Sequence, residues 1–456
     1  MQFAKKFKKI HFVGIGGSGM SGIAEVLHNL GFKVTGSDLA QNEVTKHLEE
    51  IGIKINYGHS PENINDADLL VISTAIKDDN VEVIAAKEKG IPVIRRALML
   101  AELTRIKYTI AVSGAHGKTT TTSMIGTLLQ VAGLDPTIIV GGIIRGLKSG
   151  AKLGQSDFLV VEADESDMSF LNLFPTIAVV TNIDEEHLDC YENLENIKKA
   201  FVEFANKVPF YGTVCANIDD HNTLEILPFV ERNKITYGFA SNADLNARNI
   251  QVFNDHIRFS AYFKKNKIGD VTLNIPGVHN VKNALAAFAV GVELGIKENE
   301  IIEGIEGFKG VARRFELKGN INGIKIVDDY GHHPKEIIET LKTAREFHDG
   351  RIIAVFQPHR YSRTYYLHDS FGKAFFDADI VIVTEIYPAG EKPIEGVTAK
   401  LIYDSLKKYG HKGAIYMPEF TEIIEYLKKE LKPGDLLITI GAGNVYKIGE
   451  AILQSL

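Results

Sequence analysis

The chain has 456 residues, 45% of them hydrophobic and 24% charged, a length that suits about three domains each burying its own core. Fifty-one basic and 58 acidic residues leave a formal charge of −7, which excludes the global basic field of a nucleic-acid or acidic-membrane binder. Two cysteines exclude a disulfide scaffold, and no apolar run approaches the roughly 18 residues of a membrane span. The basic start MQFAKKFKKIHFVGIGG runs straight into a strand pattern and lacks the apolar core and cleavage site of a signal peptide. The expectation is a cytoplasmic protein with no nucleic-acid or membrane partner, a monomer or weak homodimer.

Short apolar runs alternate with helical patterns throughout, which predicts an α/β fold with largely parallel sheets. In the first unit the strands fall near 9–13, 33–35, 69–72 and 92–94. The first runs into Gly14-Ile15-Gly16-Gly17-Ser18-Gly19-Met20, followed by a helix using Met20, Ile23, Leu27 and Leu30. Gly14, Gly16 and Gly19 satisfy the dinucleotide fingerprint, and Asp38 ends the next strand at about the distance of a ribose contact. The same geometry accepts any pyrophosphate, so NAD and a nucleotide-sugar diphosphate both fit.

A new strand at 110–112 opens the central unit and leads into the loop Gly114-Ala115-His116-Gly117-Lys118-Thr119-Thr120. Glycines let the backbone N–H groups turn toward anionic oxygens, Lys118 adds a cation, and Thr119 or Thr120 offers a hydroxyl to magnesium. The spacing is a shortened form of the usual phosphate loop. The next strand, 158–161, ends at Glu162, where a magnesium ligand would sit; Asp164, Glu165 and Asp167, taken singly, read as a solvated acidic turn. The strand at 177–181 is followed by Asn182, Asp184 and His187, and three polar strand ends in one unit suggest a shared metal–phosphate site. A further strand is expected at 213–216. A hairpin is expected over 250–263 around Asn254-Asp255. Behind PGVHN a helix places His279 and Asn283, residue types that suit an adenine edge or a simple N-cap.

The third unit begins near residue 308, with strands at 324–327, 352–356, 380–384, 414–417 and 436–440. Arg313 and Arg314 lie at its junction. Asp328-Asp329-Tyr330 and His332 follow one strand, and His359, Arg360 and Arg363 the next. On a helical turn Arg360 and Arg363 would share a face and fork onto one carboxylate. The glycine turn at 441–443 reads as structural.

In this order and spacing, GIGGSGMSG, RRALMLAEL, GAHGKTT, EADESD, NIDEEHLD, GVHNVKNALAA, RRFE, DDYGHHP and HRYSRT resemble the Mur ligases of bacterial cell-wall synthesis along essentially the whole chain. GIGGSGMSG and HRYSRT point to the alanine-adding member. The resemblance implies three domains: a Rossmann-like N-terminal domain for a UDP-sugar (residues 1–105), a P-loop ATPase-type central domain (106–308) and a Rossmann-like C-terminal domain for an amino acid (309–456). It implies ATP-dependent joining of L-alanine to the lactyl carboxylate of UDP-N-acetylmuramate through an acyl phosphate, in peptidoglycan precursor synthesis, with magnesium at two sites.

By motif match, Gly14, Gly16, Gly17, Ser18, Gly19, Met20, Asp38 and Ser73 would meet the UDP-sugar. Residues Gly114 to Thr120 would hold the triphosphate, with Lys118 on its outer oxygens. Thr119, Glu162 and His187 would serve the metal, His279 and Asn283 the adenine, Arg314 the phosphates, and Asp328 of the aspartate pair the ribose. Tyr330, His332, Arg360 and Arg363 would surround L-alanine, with His332 as the candidate base for its amine. Some members of the family carry a carbamylated lysine near the metal; Lys198 sits at about that place, and no modification is expected on it. Two other readings are an NAD-dependent dehydrogenase, which leaves GAHGKTT unexplained, and a nucleotide-gated binding protein, which does not need the arginine pair.

Overall fold

A computed structural model describes residues 6–73, 75–141, 151–185, 188–253 and 255–455. The chain forms two compact units. One comprises Met1–Gln251, Arg258–Ile275 and His279–Val311, and the other Val252–Ile257, Pro276–Val278 and Ala312–Leu456.

The first unit carries two sheets among its described residues. The N-terminal sheet contains β1 (Lys9–Val13), β2 (Lys33–Asp38), β3 (Lys54–Tyr57), β4 (Leu69–Ile72) and β5 (Val93–Arg95) in the order β3-β2-β1-β4-β5. Every pairing is parallel, as helices crossing between strands require. β1 and β4 are central and apolar and bury Ile10, Phe12, Val13 and all of Leu69–Ile72. β3 was not foreseen, because KINY is short, lies at the sheet edge and buries only Ile55. Under this sheet Glu82, in the helix Val81–Glu88, is 0% exposed and accepts hydrogen bonds from Ser37 Oγ (2.7 Å), Ser60 N (3.3 Å) and Asn63 Nδ2 (2.5 Å). The rings of His11 and His59 each approach it to 3.6 Å.

The second sheet comprises β6 (Tyr108–Ser113), β7 (Thr137–Ile139), β8 (Ala151–Lys152), β9 (Phe158–Glu162), β10 (Ile177–Val180), β11 (Thr213–Asn217), β12 (Asn233–Gly238), β13 (Leu245–Val252), β14 (Ile257–Phe263) and β15 (Asn266–Leu273). Its order is β15-β14-β13-β12-β11-β10-β6-β9-β7-β8. β6 is therefore flanked by β9 and β10, both parallel to it, so the segments that follow these three strands emerge side by side at one edge. That adjacency places the site. The expected hairpin forms between β13 and β14; of its two turn residues, Asn254 lies outside the described residues. Helix Lys118–Val131 buries Met124, Ile125, Leu128 and Leu129 and packs against helices His279–Glu293 and Glu298–Glu306.

In the second unit β16 (Glu316–Ile321), β17 (Ile324–Asp329), β18 (Ile352–Phe356), β19 (Ile380–Val383), β20 (Ala414–Tyr416) and β21 (Leu436–Ile440) form a sheet in the order β16-β17-β21-β18-β19-β20. Only β16 is antiparallel, a half-exposed edge strand with an irregularity between Leu317 and Gly319; its weak alternation hid it from the sequence pattern. β21 lies between β17 and β18, so the turn after it sits between the two histidine-bearing strand ends. Among the described residues no helix is long and apolar enough to cross a membrane.

Candidate active site

The loop after β6 has the conformation its glycines allow. Gly114 has φ +140° and Gly117, the N-cap of helix Lys118–Val131, has φ +82°, both values that side-chain-bearing residues avoid. Gly117 also faces Asn283: a Cβ there would stand 2.7 Å from Asn283 Oδ1. The loop is braced from the β10 side. His116 N donates to Asn182 Oδ1 (2.8 Å) and Ala115 N to Asn182 O (3.2 Å), while Thr181 Oγ1 (2.7 Å) and Asn182 Nδ2 (3.0 Å) donate to His116 O. Thr181 and Asn182 thus hold the cradle in shape, and His187 of the same cluster lies outside the described residues.

From β9, Glu162 meets the helix start. Thr119 Oγ1 lies 3.1 and 3.0 Å from the two Glu162 oxygens, and Gly141 N donates to Oε2 at 2.8 Å. Among the described residues no group of three or more histidines, cysteines or carboxylates forms a metal cage. A hydroxyl and a carboxylate beside a phosphate loop still fit magnesium, which takes few protein oxygens and completes its shell with phosphates and water. Lys118 Nζ donates to Glu165 Oε1 (2.8 Å) and Gly114 O (2.7 Å). Burial pulls the Lys118 ammonium down, but Glu165, Glu162 and Asp164 hold it above its ordinary value, so it is a cation at neutral pH. Burial pushes the Glu165 carboxyl up against the pull of Lys118. Glu165 is 3% exposed and Tyr191 Oη donates to its carbonyl at 2.6 Å. The solvated-turn reading therefore fails for Glu165, although it fits the exposed Asp167.

In the N-terminal sheet Gly14 has φ +78° and leaves room for Ser73, whose Oγ would stand 2.9 Å from a Cβ at that position. Gly16 N donates to Asp38 Oδ2 at 2.8 Å. Asp38 thus ties the glycine loop to the end of β2 through one oxygen. Gly17 is the N-cap of helix Ser18–Asn29 and has no side chain to cap its first turn; its carbonyl accepts from Met20 N (2.9 Å) and Ser21 N (3.0 Å). Met20 is only 1% exposed and belongs to the hydrophobic core. Its expected side-chain contact with the UDP-sugar is corrected on that ground. The side chain of Ser18 lies outside the described residues.

The second unit brings its own cluster together at the ends of β17 and β18. His332 Nδ1 lies 3.1 Å from Tyr330 O and 3.5 Å from Glu336 Oε2, and the ring meets Tyr330 edge-on with centroids 5.6 Å apart. A carbonyl oxygen only accepts, so Nδ1 carries the proton and Nε2 keeps its lone pair. Burial, reinforced by Arg363 and Arg314 and opposed by Glu336, lowers the His332 pKa. His359 stacks on Tyr387 (5.8 Å) and accepts from Arg363 Nη1 at 3.1 Å; burial first, then His332 and the arginines, depress it to about 3.

Arg360 is not on a helical turn with Arg363. It is the N-cap of helix Tyr361–Phe371 with φ +72°, so the shared helical face expected for the pair is corrected, because the tight turn after His359 takes Arg360 out of the helix. Arg314 approaches Glu336 (3.6 Å) and the face of Tyr330. Asp328 is 1% exposed, with Oδ2 accepting from Arg313 Nε (2.8 Å) and Oδ1 from Thr439 Oγ1 (2.7 Å). Both oxygens are committed inside the sheet, which speaks against the expected ribose contact. Asp329 is similarly occupied by Phe315 N, Gly331 N and Thr340 Oγ1.

Three family profiles match the chain in order: Mur ligase family, catalytic domain, over residues 9–108; Mur ligase middle domain, over 112–291; and Mur ligase, glutamate ligase domain, over 313–443. The chain belongs to the Mur ligase family. The UDP-N-acetylmuramate–L-alanine ligase of Geotalea daltonii is 52% identical over 451 residues, covering 99% of this chain and 98% of that one. The enzyme of the same name from Geobacter sp. strain M21 is 53% identical over 452 residues, at 99% and 98% coverage. Among solved structures, the UDP-N-acetylmuramate–alanine ligase of Thermotoga maritima superposes with a TM-score of 0.84 at 31% identity, covering 98% of both chains. A murein peptide ligase of Psychrobacter arcticus gives 0.72 at 25% identity, again over 98% of both chains.

In this Mur ligase the sequence pattern leaves Glu165 in a solvated acidic turn and puts the Thr181–Asn182 strand end in a metal–phosphate cluster, where the structure instead pairs Glu165 with Lys118 and makes Thr181 and Asn182 the brace of the loop. A carboxylate three residues beyond a buried strand was the available signal for Glu165, and the run of neighbouring acids masked it. Lys198 Nζ donates to Glu195 Oε1 (3.1 Å) and Glu225 Oε2 (2.6 Å). His279 heads helix His279–Glu293 on an exposed face, while Asn283 donates to Asn280 Oδ1 (2.9 Å) and backs the phosphate loop.

Proposed function

We propose that this Mur ligase joins L-alanine to the lactyl carboxylate of UDP-N-acetylmuramate at the expense of ATP, making a peptidoglycan precursor in the cytoplasm. The observation that carries this is the convergence of Lys118, Thr119 and Glu162 on the braced GAHGKT loop, in a chain 52% identical along 99% of its length to a UDP-N-acetylmuramate–L-alanine ligase. We assign residues 1–105 to the UDP-sugar, 106–308 to ATP and 309–456 to the amino acid.

A carboxylate is a poor electrophile because oxide is a poor leaving group. In the first step a carboxylate oxygen attacks the γ-phosphorus of ATP, the bond to the bridging oxygen breaks and ADP leaves. Both reactants are anionic, so Lys118 and the N–H groups of the 114–117 loop offset their repulsion. Thr119 and Glu162 would hold magnesium, which supplies further neutralisation of the phosphate charge. In the second step the alanine nitrogen attacks the acyl carbon, the C–O bond to phosphate breaks, and the amine proton passes to Nε2 of a neutral His332. Arg360 and Arg363 hold the alanine carboxylate, His279 meets the adenine, and Arg314 meets the phosphates. The dinucleotide reading of Gly14–Gly19 becomes a UDP-sugar reading.

Replacing Lys118 tests the loop. Lys118→Ala is expected to abolish ADP formation while UDP-N-acetylmuramate still binds by calorimetry; normal turnover in that variant would contradict the assignment.

A further inference from the structure

Glu336 is assigned no part in the reaction above, yet it stands between two groups that are. His333 is the N-cap of helix Pro334–Phe347. Proline at the first helical position fixes φ where a missing N–H costs nothing. Glu336, at the third, closes a capping box by accepting from His333 N at 3.1 Å. The helix end asks no more of that side chain. The same oxygen, Oε2, nevertheless also accepts from His332 N (2.8 Å) and lies 3.5 Å from His332 Nδ1. The other oxygen, Oε1, is 3.6 Å from Arg314 Nη1. Both side chains of the His332–Glu336 pair are largely buried, at 24% and 20% exposed, so the attraction between them is little screened.

The surroundings of His332 give that carboxylate its meaning. Burial disfavours a positive charge on the ring, as do Arg363, from helix Tyr361–Phe371, and Arg314, from the junction before β16; Glu336 favours it. The His359 ring stands 5.6 Å away, centroid to centroid, and Tyr330 offers its carbonyl to Nδ1 at 3.1 Å. When a neutral His332 takes the amine proton at Nε2, Nδ1 keeps its own, and the ring becomes an imidazolium between two arginines. That charge develops in the step itself. An anion already fixed beside Nδ1 therefore stabilises the protonated ring more than the neutral one.

We propose that Glu336 is a positioning residue for His332: its carboxylate holds the imidazole beside Tyr330 and stabilises the imidazolium formed as alanine attacks the acyl phosphate. The proton stays on the ring, and Glu336 remains ionised. This rests on the reading of His332 as the base and adds the group that lets a buried histidine among cations accept a proton.

The test is E336Q in the full-length protein, with E336D and H332Q beside it, read by NMR titration of the histidine rings and by the pH profile of kcat/KM for L-alanine. Gln keeps an oxygen for the N–H groups of His332 and His333, so the cap and the melting temperature should persist while the charge is lost. The ring signals absent from H332Q identify His332. In E336Q its titration midpoint should fall by about one pH unit or more, the scale of one opposite charge within about 4–6 Å. The acid limb of the profile should move down with it. The value of kcat should fall about tenfold, part of what a general base contributes, with the KM for ATP unchanged. E336D, which keeps the charge, should lie between E336Q and wild type. A His332 midpoint that E336Q leaves in place would overturn the proposal. A midpoint that moves in E336Q, with an acid limb unchanged in both E336Q and H332Q, would overturn His332 as the base and the role of Glu336 with it. A wild-type protein that releases no ADP with UDP-N-acetylmuramate and L-alanine would instead overturn the proposed function.

Discussion

Lys118 Nζ and Glu165 Oε1 form a buried ion pair at 2.8 Å, so the cation of the phosphate loop is held at a fixed point by a carboxylate from the segment after β9. Removing either partner should have unequal consequences. Glu165→Ala strands a buried ammonium and should destabilise the fold by roughly 3–5 kcal/mol. Lys118→Ala should destabilise it less, because the carboxyl left behind can take up a proton, toward which burial already pushes it. Denaturant unfolding of the two variants at pH 7 checks the order; a larger loss for Lys118→Ala would contradict it.

Thr119 and Glu162 are expected to set the magnesium requirement. Chelation with EDTA should stop ADP release, and Thr119→Val or Glu162→Gln should shift the magnesium titration of activity to higher concentration, by about tenfold or more, the scale of one lost charged or hydroxyl contact. Unchanged magnesium curves would remove both residues from the metal.

Much of this site was legible because its chemistry sits on strand ends. The buried strands β6, β9 and β10 are apolar runs that stop abruptly at Ser113, Glu162 and Thr181, and parallel topology puts such ends together. The Lys118 loop and a strand-end carboxylate beside it, Glu162, are readable from that pattern; the direct contact of Glu162 with Thr119 is not. What the pattern hid depends on three-dimensional neighbours. Glu165 reads as one acid among several until Lys118 is seen against it, and Asp328 reads as a free strand-end carboxylate until Arg313 and Thr439 occupy its oxygens. Met20 begins the apolar helical stripe of Ile23 and Leu27 and is buried with it, so that stripe, rather than its place beside the glycine loop, was the signal to follow. The short edge strands β3 and β16 lack a buried stripe long enough to show a period.

The pH dependence of the second step should report His332. Its pKa lies below the usual histidine value, chiefly through burial, so the imidazole is neutral and able to accept a proton down to a lower pH than a free histidine. The acid limb of kcat/KM for L-alanine should therefore fall below about pH 6.5, with activity rising as pH rises through it. His332→Gln should lose alanine-dependent turnover while acyl phosphate, trapped with hydroxylamine, still forms. An unchanged acid limb in that variant would reassign the base.

Glu82 should make the N-terminal sheet sensitive to acid. Burial alone would raise its pKa, but the His11 ring 3.6 Å away and hydrogen bonds from Ser37 and Asn63 outweigh that and lower it from 4.5 to about 2. A depressed folded-state value gives stability that is present above about pH 4.5 and lost as pH falls toward 2, on the order of 3 kcal/mol. Glu82→Gln should lower stability at pH 7 and flatten the dependence between those two pH values. A variant with the wild-type acid profile would exclude Glu82 as its source.

The central claim is tested most directly by ADP release from the purified protein with magnesium, ATP and UDP-N-acetylmuramate, with and without L-alanine and against a panel of other amino acids. The account predicts ADP formation that needs both co-substrates and is fastest with L-alanine. Turnover that prefers another amino acid would contradict the assignment of the second unit's cluster, and ADP release indifferent to UDP-N-acetylmuramate would contradict the reaction itself.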